Sequence, residues 1–148
     1  MHREVINRTV DFNIEVNLDQ IGTNMNITLW VVASILAAAF LAAGAMKLIQ
    51  PKEKLAASGM GWTEDFTPGM IKTIGLLEVL AAIGLILPAL LGVLPALVPA
   101  SAVGLGALMA GAAITHGRRK ETPMVASNAV LLVLALVIAW GRFGAYAF

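Results

Sequence analysis

From Thr28 to Ile49 the chain runs for about 22 residues with no charge until Lys47, which at 1.5 Å per residue makes about 33 Å of helix, enough to cross a hydrocarbon core of about 30 Å. Three further stretches of the same kind follow it. Their approximate limits are 70–91, 96–115 and 124–146, against 28–49 for the first. Backbone groups inside a bilayer must be satisfied within their own segment, so a chain with four such stretches is expected to fold as an all-α polytopic membrane protein, a bundle of four transmembrane helices. Composition agrees: of 148 residues 59% are hydrophobic and 13% charged, and the mean hydropathy is +0.84, too apolar for a small water-soluble domain.

The polar punctuation sets the loops. Gln50 to Gly69 interrupts the apolar pattern with Pro51, Lys52-Glu53-Lys54, Gly59, Gly61, Trp62, Glu64-Asp65 and Pro68-Gly69. This reads as a loop, with a short interfacial helix over Pro51 to Ala57 and Trp62 in the headgroup belt. Pro88, Pro95 and Pro99 mark an uncharged passage between the second and third spans. His116-Gly117-Arg118-Arg119-Lys120-Glu121 separates the third from the fourth, where Thr122-Pro123 supplies a cap and first-turn proline. Lys52, Lys54, Arg118, Arg119 and Lys120 all fall in the first and third loops. The positive-inside rule therefore places those loops in the cytoplasm and both termini outside it.

Residues 1–26 form a polar tail or extension ahead of a 27–148 membrane domain. From Val10 to Asp19 apolar and polar residues alternate strictly, the period of a half-buried strand. Two readings stand: a flexible tail or translated leader, with Met25 as the biological start, or a strand pairing with another copy or subunit.

Ionisable groups inside spans are costly to bury in lipid, so they face a protein interior or a watery cavity. Lys47 ends the first span, Glu78 lies about two turns into the second, His116 closes the third, and Asn128 and Ser127 lie about one turn into the fourth. All belong to one end of the bundle. Glu78 shares a helix face with Gly75 and Ala82, and similar small-residue stripes run through Ala38, Ala42 and Ala45 and through Gly104, Ala107 and Gly111. Such stripes suit close helix packing. Lys47 and Glu78 are candidates for a buried ion pair, with His116 able to hydrogen-bond to the carboxylate. The alternatives are that Lys47 snorkels to the headgroups and that His116 simply sits at the interface. Arg142, flanked by Trp140 and Phe143, stands apart near the opposite face as a helix-end anchor.

Several chemistries are absent from the sequence. There is no cysteine, and two histidines in all. With no glycine-rich phosphate loop, HExxH or nucleophile elbow, the candidate polar cluster of Lys47, Glu78, His116 and Asn128 carries no recognised catalytic or metal motif. The balance of 10 basic to 9 acidic residues gives no field that would recruit nucleic acid.

The order of Ala43-Gly44-Ala45-Met46-Lys47-Leu48, Gly75-Leu76-Leu77-Glu78-Val79, Gly84-Leu85-Ile86-Leu87-Pro88 and Gly111-Ala112-Ala113 leading to His116 and a basic loop resembles the DoxX-like family of small four-helix membrane proteins. The resemblance covers about Met25 to Phe148. It implies a four-helix fold in a bacterial inner membrane. Family members are named for a subunit of an archaeal system feeding electrons from thiosulfate to quinone, others accompany redox-stress enzymes, and animal relatives act in receptor assembly. The expectation is thus an accessory subunit of a quinone-linked redox assembly, with quinone as the cofactor to test and with the bilayer, other membrane or redox subunits, or further copies of the chain as partners. The alternatives are a small-solute or proton-coupled transporter and a purely structural assembly module.

Overall fold

The computed structural model describes the backbone of residues 2–148 and the side chains from Asn13 onward. It contains α1 (His2–Ile49), α2 (Lys52–Ala57), a 3₁₀ turn over Gly61–Asp65, α3 (Pro68–Leu91), α4 (Leu97–Arg118) and α5 (Thr122–Phe143). No strand occurs among the described residues. Four helices are long and apolar enough to cross a membrane, and only 22% to 33% of the most apolar window of each is buried inside the bundle. The remainder is a coat of exposed apolar side chains such as Ile35, Leu80, Leu90 and Val133, which lipid solvates without cost.

The strand that is one of two readings of Val10 to Asp19 does not form. That segment belongs to α1, whose 48 residues make a rod of about 72 Å, more than twice the hydrocarbon thickness. The side chains of Val10, Asp11 and Phe12 lie outside the described residues, as does Met1. From Asn13 to Gln20 every side chain is exposed. A helix satisfies its own backbone without a neighbour, whereas a strand needs a partner and none is present among the described residues. Asn17 adds a side-chain bond to the Asn13 carbonyl and Thr28 one to that of Asn24.

Local chemistry explains the boundaries of α3. The Thr67 hydroxyl accepts from the Met70 amide, with Pro68 in the first turn, a favourable helix start. At the other end Gly92 takes a left-handed conformation at φ 63°, and its amide and that of Val93 reach back to Ala89 and Pro88, a Schellman ending that suits glycine. The short helix expected at 51–57 is α2.

α1 packs chiefly along α3, and α4 chiefly along α5, while α3 meets α4 less and α1 meets α5 less again. Leu36, Phe40, Leu85, Leu105, Met109 and Ile138 fill the centre. The Gly75, Glu78 and Ala82 face is buried, as expected. The other two small-residue stripes are not packing faces: Ala38, Ala42, Gly104, Ala107 and Gly111 are exposed. In their place α1 buries Ala33, Ala37 and Gly44, and α4 buries Ala102, Gly106 and Met109. Small residues are frequent on every face of membrane helices, so their spacing alone does not pick the buried face.

One cross-helix tie closes α1. The Lys72 ammonium on α3 donates to the carbonyls of Lys47, Leu48 and Gln50 at 2.8, 2.7 and 2.8 Å. It satisfies orphan acceptors at a helix C-terminus, where positive charge is favourable. Lys72→Met is expected to lower stability by about 1–3 kcal/mol, read as a lower thermal midpoint in detergent, and an unchanged midpoint would contradict the capping role.

Candidate functional site

The polar residues picked from the sequence converge. Lys47 and His116 lie in the last turns of α1 and α4, Asn128 in the second turn of α5 and Glu78 nearly three turns into α3, all in the same half of the bundle, because successive spans run antiparallel. Lys47 and Glu78 are 6% and 4% exposed. The Lys47 ammonium donates to both carboxylate oxygens of Glu78, at 2.9 and 2.7 Å. This is a buried, bidentate ion pair rather than a lysine snorkelling to the headgroups.

Glycine makes the pair possible. A Cβ on Gly44 would lie 2.6 Å from the Gly75 carbonyl oxygen, and one on Gly75 would lie 2.9 Å from that of Gly44. The backbones of α1 and α3 therefore touch one turn from the two charges, which brings a lysine and a glutamate on neighbouring helices into direct contact.

His116 does not bond to Glu78. Its Nδ1 meets a carboxylate oxygen of Glu121, which stands closer in the chain, just past the helix end. Because a carboxylate only accepts, Nδ1 carries the proton of that bond, and Nε2 is the ring nitrogen left for another partner. The other Glu121 oxygen accepts from Arg119 Nε at 2.8 Å, and Arg119 Nη1 reaches Asp65 in the first loop at 2.7 Å. Asn128 donates to the Met124 carbonyl, while Ser127 is exposed and turned to Pro123.

These groups border a cavity of about 430 Å³, within the range of small-molecule sites. Lys47, Glu78, His116 and Asn128 all line it, together with Phe40, Trp62, Phe66 and Thr115. Trp62 does not merely sit in a headgroup belt. It packs edge to face on Phe66, with ring centroids 5.6 Å apart, and lies 5.9 Å from the Lys47 ammonium, a cation–π arrangement. The 3₁₀ turn that carries it is held by Lys52, which donates to the carbonyls of Glu64 and Phe66, and by the Arg119–Asp65 bridge. A roof of two aromatic rings over a lysine was not legible from the sequence, since it depends on how a glycine-rich loop folds back. The Trp62 and Phe66 spacing of four is its only trace.

The charges at this roof titrate in a defined direction. Glu121 is held below its ordinary value of 4.5, first by the hydrogen bond from Arg119 and then by that from His116. The same contacts, Glu121 before Asp65, push Arg119 upward. A depressed carboxylate stabilises the fold above its unfolded value and loses that contribution as pH falls through the folded one. Thermal midpoints are therefore expected to fall on acidification below about pH 4.5. Glu121→Gln should flatten part of this decline, and an acid branch identical in the variant would refute the assignment.

Arg142 lies apart from the cavity, as expected, and is 5% exposed. Its guanidinium donates to Asn26 on α1 at 2.7 Å and to the Tyr146 carbonyl at 2.8 Å, and stands 4.1 Å from the Phe148 ring and 5.6 Å from that of Trp30. It ties α5 to α1 at the end opposite the cavity.

The order of the motifs along the helices, the ion pair at their junction and the four-span bundle now meet a direct match: residues 31–138 fit the sequence profile of the DoxX-like family. The chain belongs to the DoxX-like family. No curated protein and no solved structure matches it significantly. The DoxX-like match begins inside α1 and leaves out its projecting N-terminal part, while covering Lys47, Glu78, His116 and Asn128.

Proposed function

We propose that this DoxX-like chain is an accessory membrane subunit of a quinone-linked redox assembly and that its polar cavity receives a quinone head. The observation that carries the reading is the cavity itself, which sets a buried lysine–carboxylate pair beneath two aromatic rings. A quinone head is a flat ring with two acceptor oxygens at its rim. Phe40, Trp62 and Phe66 offer apolar faces to such a ring, and Lys47 and the Asn128 amide offer donors. A bound quinone supplies transfer of two electrons with two protons. The residues of this chain bind the ring, orient it and keep a proton acceptor, Glu78, beside it. With no cysteine and two histidines in the sequence, the electrons come from a bound cofactor or a partner, and supply by a partner is what an accessory role means. The count of basic residues in the first and third loops supports placing this end at the cytoplasmic face of a bacterial inner membrane, with the termini on the other side.

Protein purified in mild detergent is expected to retain quinone on solvent extraction, and Glu78→Gln to lose most of it with unchanged helical content by circular dichroism. Retention of none, with electron transfer unaffected by Glu78→Gln, would sink the proposal. A buried carboxylate facing a cavity also suits a proton-coupled carrier. That reading prevails if Glu78→Gln abolishes solute uptake into vesicles while no quinone binds.

A further inference from the structure

The polar cavity continues sideways. Ala107 and Leu108 of α4 belong both to it and to a second cavity of about 490 Å³ bounded by Leu77, Leu80 and Ala81 of α3 and by Ser101 and Gly104 of α4. Leu80 and Ser101 are shared in turn with a third, of about 390 Å³, that runs on past Leu87 and Leu91 to Leu97. The three lie in a line along the α3–α4 seam. From Gly111 to Leu97 that line follows about 21 Å of helix rise. Its character changes along the way: charged and hydrogen-bonding groups at the Glu78 end, then side chains that are apolar except for Ser101. Ser101 turns onto Gly84, where an added Cβ would overlap it, so the two helices touch there and form the floor of a trough open to the outside. On the α4 wall Gly104 and Ala107 are exposed, and a Cβ on Gly104 or Gly111 would meet no atom within 4 Å. These small residues border open space instead of a helix neighbour.

We propose that the cavity takes its ligand from the bilayer through the α3–α4 side, and that the ligand is an amphiphile whose apolar tail lies in the Leu80–Gly104–Leu87 trough while its head occupies the polar cavity. The occupant follows from continuity: a trough that opens into a polar chamber through Ala107 and Leu108 matches one molecule with a polar and an apolar part. This rests on the quinone reading and narrows it to tailed quinones.

The test titrates the protein in lipid nanodiscs with decylubiquinone and with 2,3-dimethoxy-5-methyl-1,4-benzoquinone, the same head without a tail, following quenching of tryptophan fluorescence. Gly104→Leu should weaken binding of the tailed quinone at least tenfold relative to the unaltered protein and leave the tail-free one within twofold. Leu80→Trp, which fills the trough from the facing wall, should do the same and serves if Gly104→Leu does not fold. Equal weakening of both quinones, or no effect on either, would overturn the tail path and leave the quinone reading standing. Failure of the unaltered protein to bind either quinone would overturn both. A phospholipid that stays bound in the trough at saturating decylubiquinone, detected by native mass spectrometry, would also overturn the tail path.

Discussion

Lys47→Met is expected to destabilise the bundle by about 3–5 kcal/mol, because removing one member of a buried ion pair strands the other charge. Among the described residues the Glu78 carboxylate accepts from no side chain other than Lys47, so none of them replaces the ammonium when it goes. Glu78→Leu should cost a similar amount, now leaving the ammonium unpaired. The double variant Lys47→Met/Glu78→Leu is expected to recover most of the loss, since two apolar residues of comparable size leave no charge behind. Coupling of this kind is what a double-mutant cycle measures. Unfolding in mixed detergent followed by circular dichroism supplies the three differences. Additive losses would show that the two residues do not depend on each other and would remove the pair from the account of stability. The double variant is nonetheless expected to bind no quinone, which separates the fold from the site.

The second large effect comes from an added methyl group. Gly44→Ala and Gly75→Ala each place a Cβ against the backbone carbonyl oxygen of the facing glycine, where no rotamer change relieves the overlap. The helices must separate, at a cost of about 1–3 kcal/mol, and the Lys47–Glu78 distances must lengthen with them. The same substitution on α4, Gly104→Ala or Gly111→Ala, meets open space and is expected to be neutral or slightly stabilising, since alanine is the better helix former by about 1 kcal/mol. Thermal midpoints of the four variants check the contrast. Four equal shifts would mean that α1 and α3 are not in backbone contact.

The comparison of these glycines shows how far the sequence could be read. The number and order of the spans were legible because lipid imposes a length and a hydropathy that no other solvent demands. The layer of Lys47, Glu78, His116 and Asn128 was legible because an ionisable group inside a span has few places to go. The buried faces of α1 and α4 were not: Gly44 and Gly106 pack while Gly104 and Gly111 do not, and nothing in the spacing of small residues tells these apart. The partner of His116 was missed for a different reason. Glu121 is five residues away, past the helix end, and the turn that brings it back is set by Lys120, whose φ of 60° is left-handed. The N-terminal segment allowed two readings, since its alternation of polar and apolar residues is periodic as a strand, yet its described side chains from Asn13 to Gln20 lie exposed on a helix.

The pairing of the helices bears on how the cavity changes size. α1 is locked to α3 by the Gly44–Gly75 contact and the ion pair, and α4 packs most closely on α5. The cavity draws its walls from both halves. Its volume is therefore governed by the gap between two helix pairs, each closed by its own internal junction. Lateral compression of the surrounding bilayer acts on that same gap, so the size of the cavity is a quantity that the mechanical state of the membrane can set.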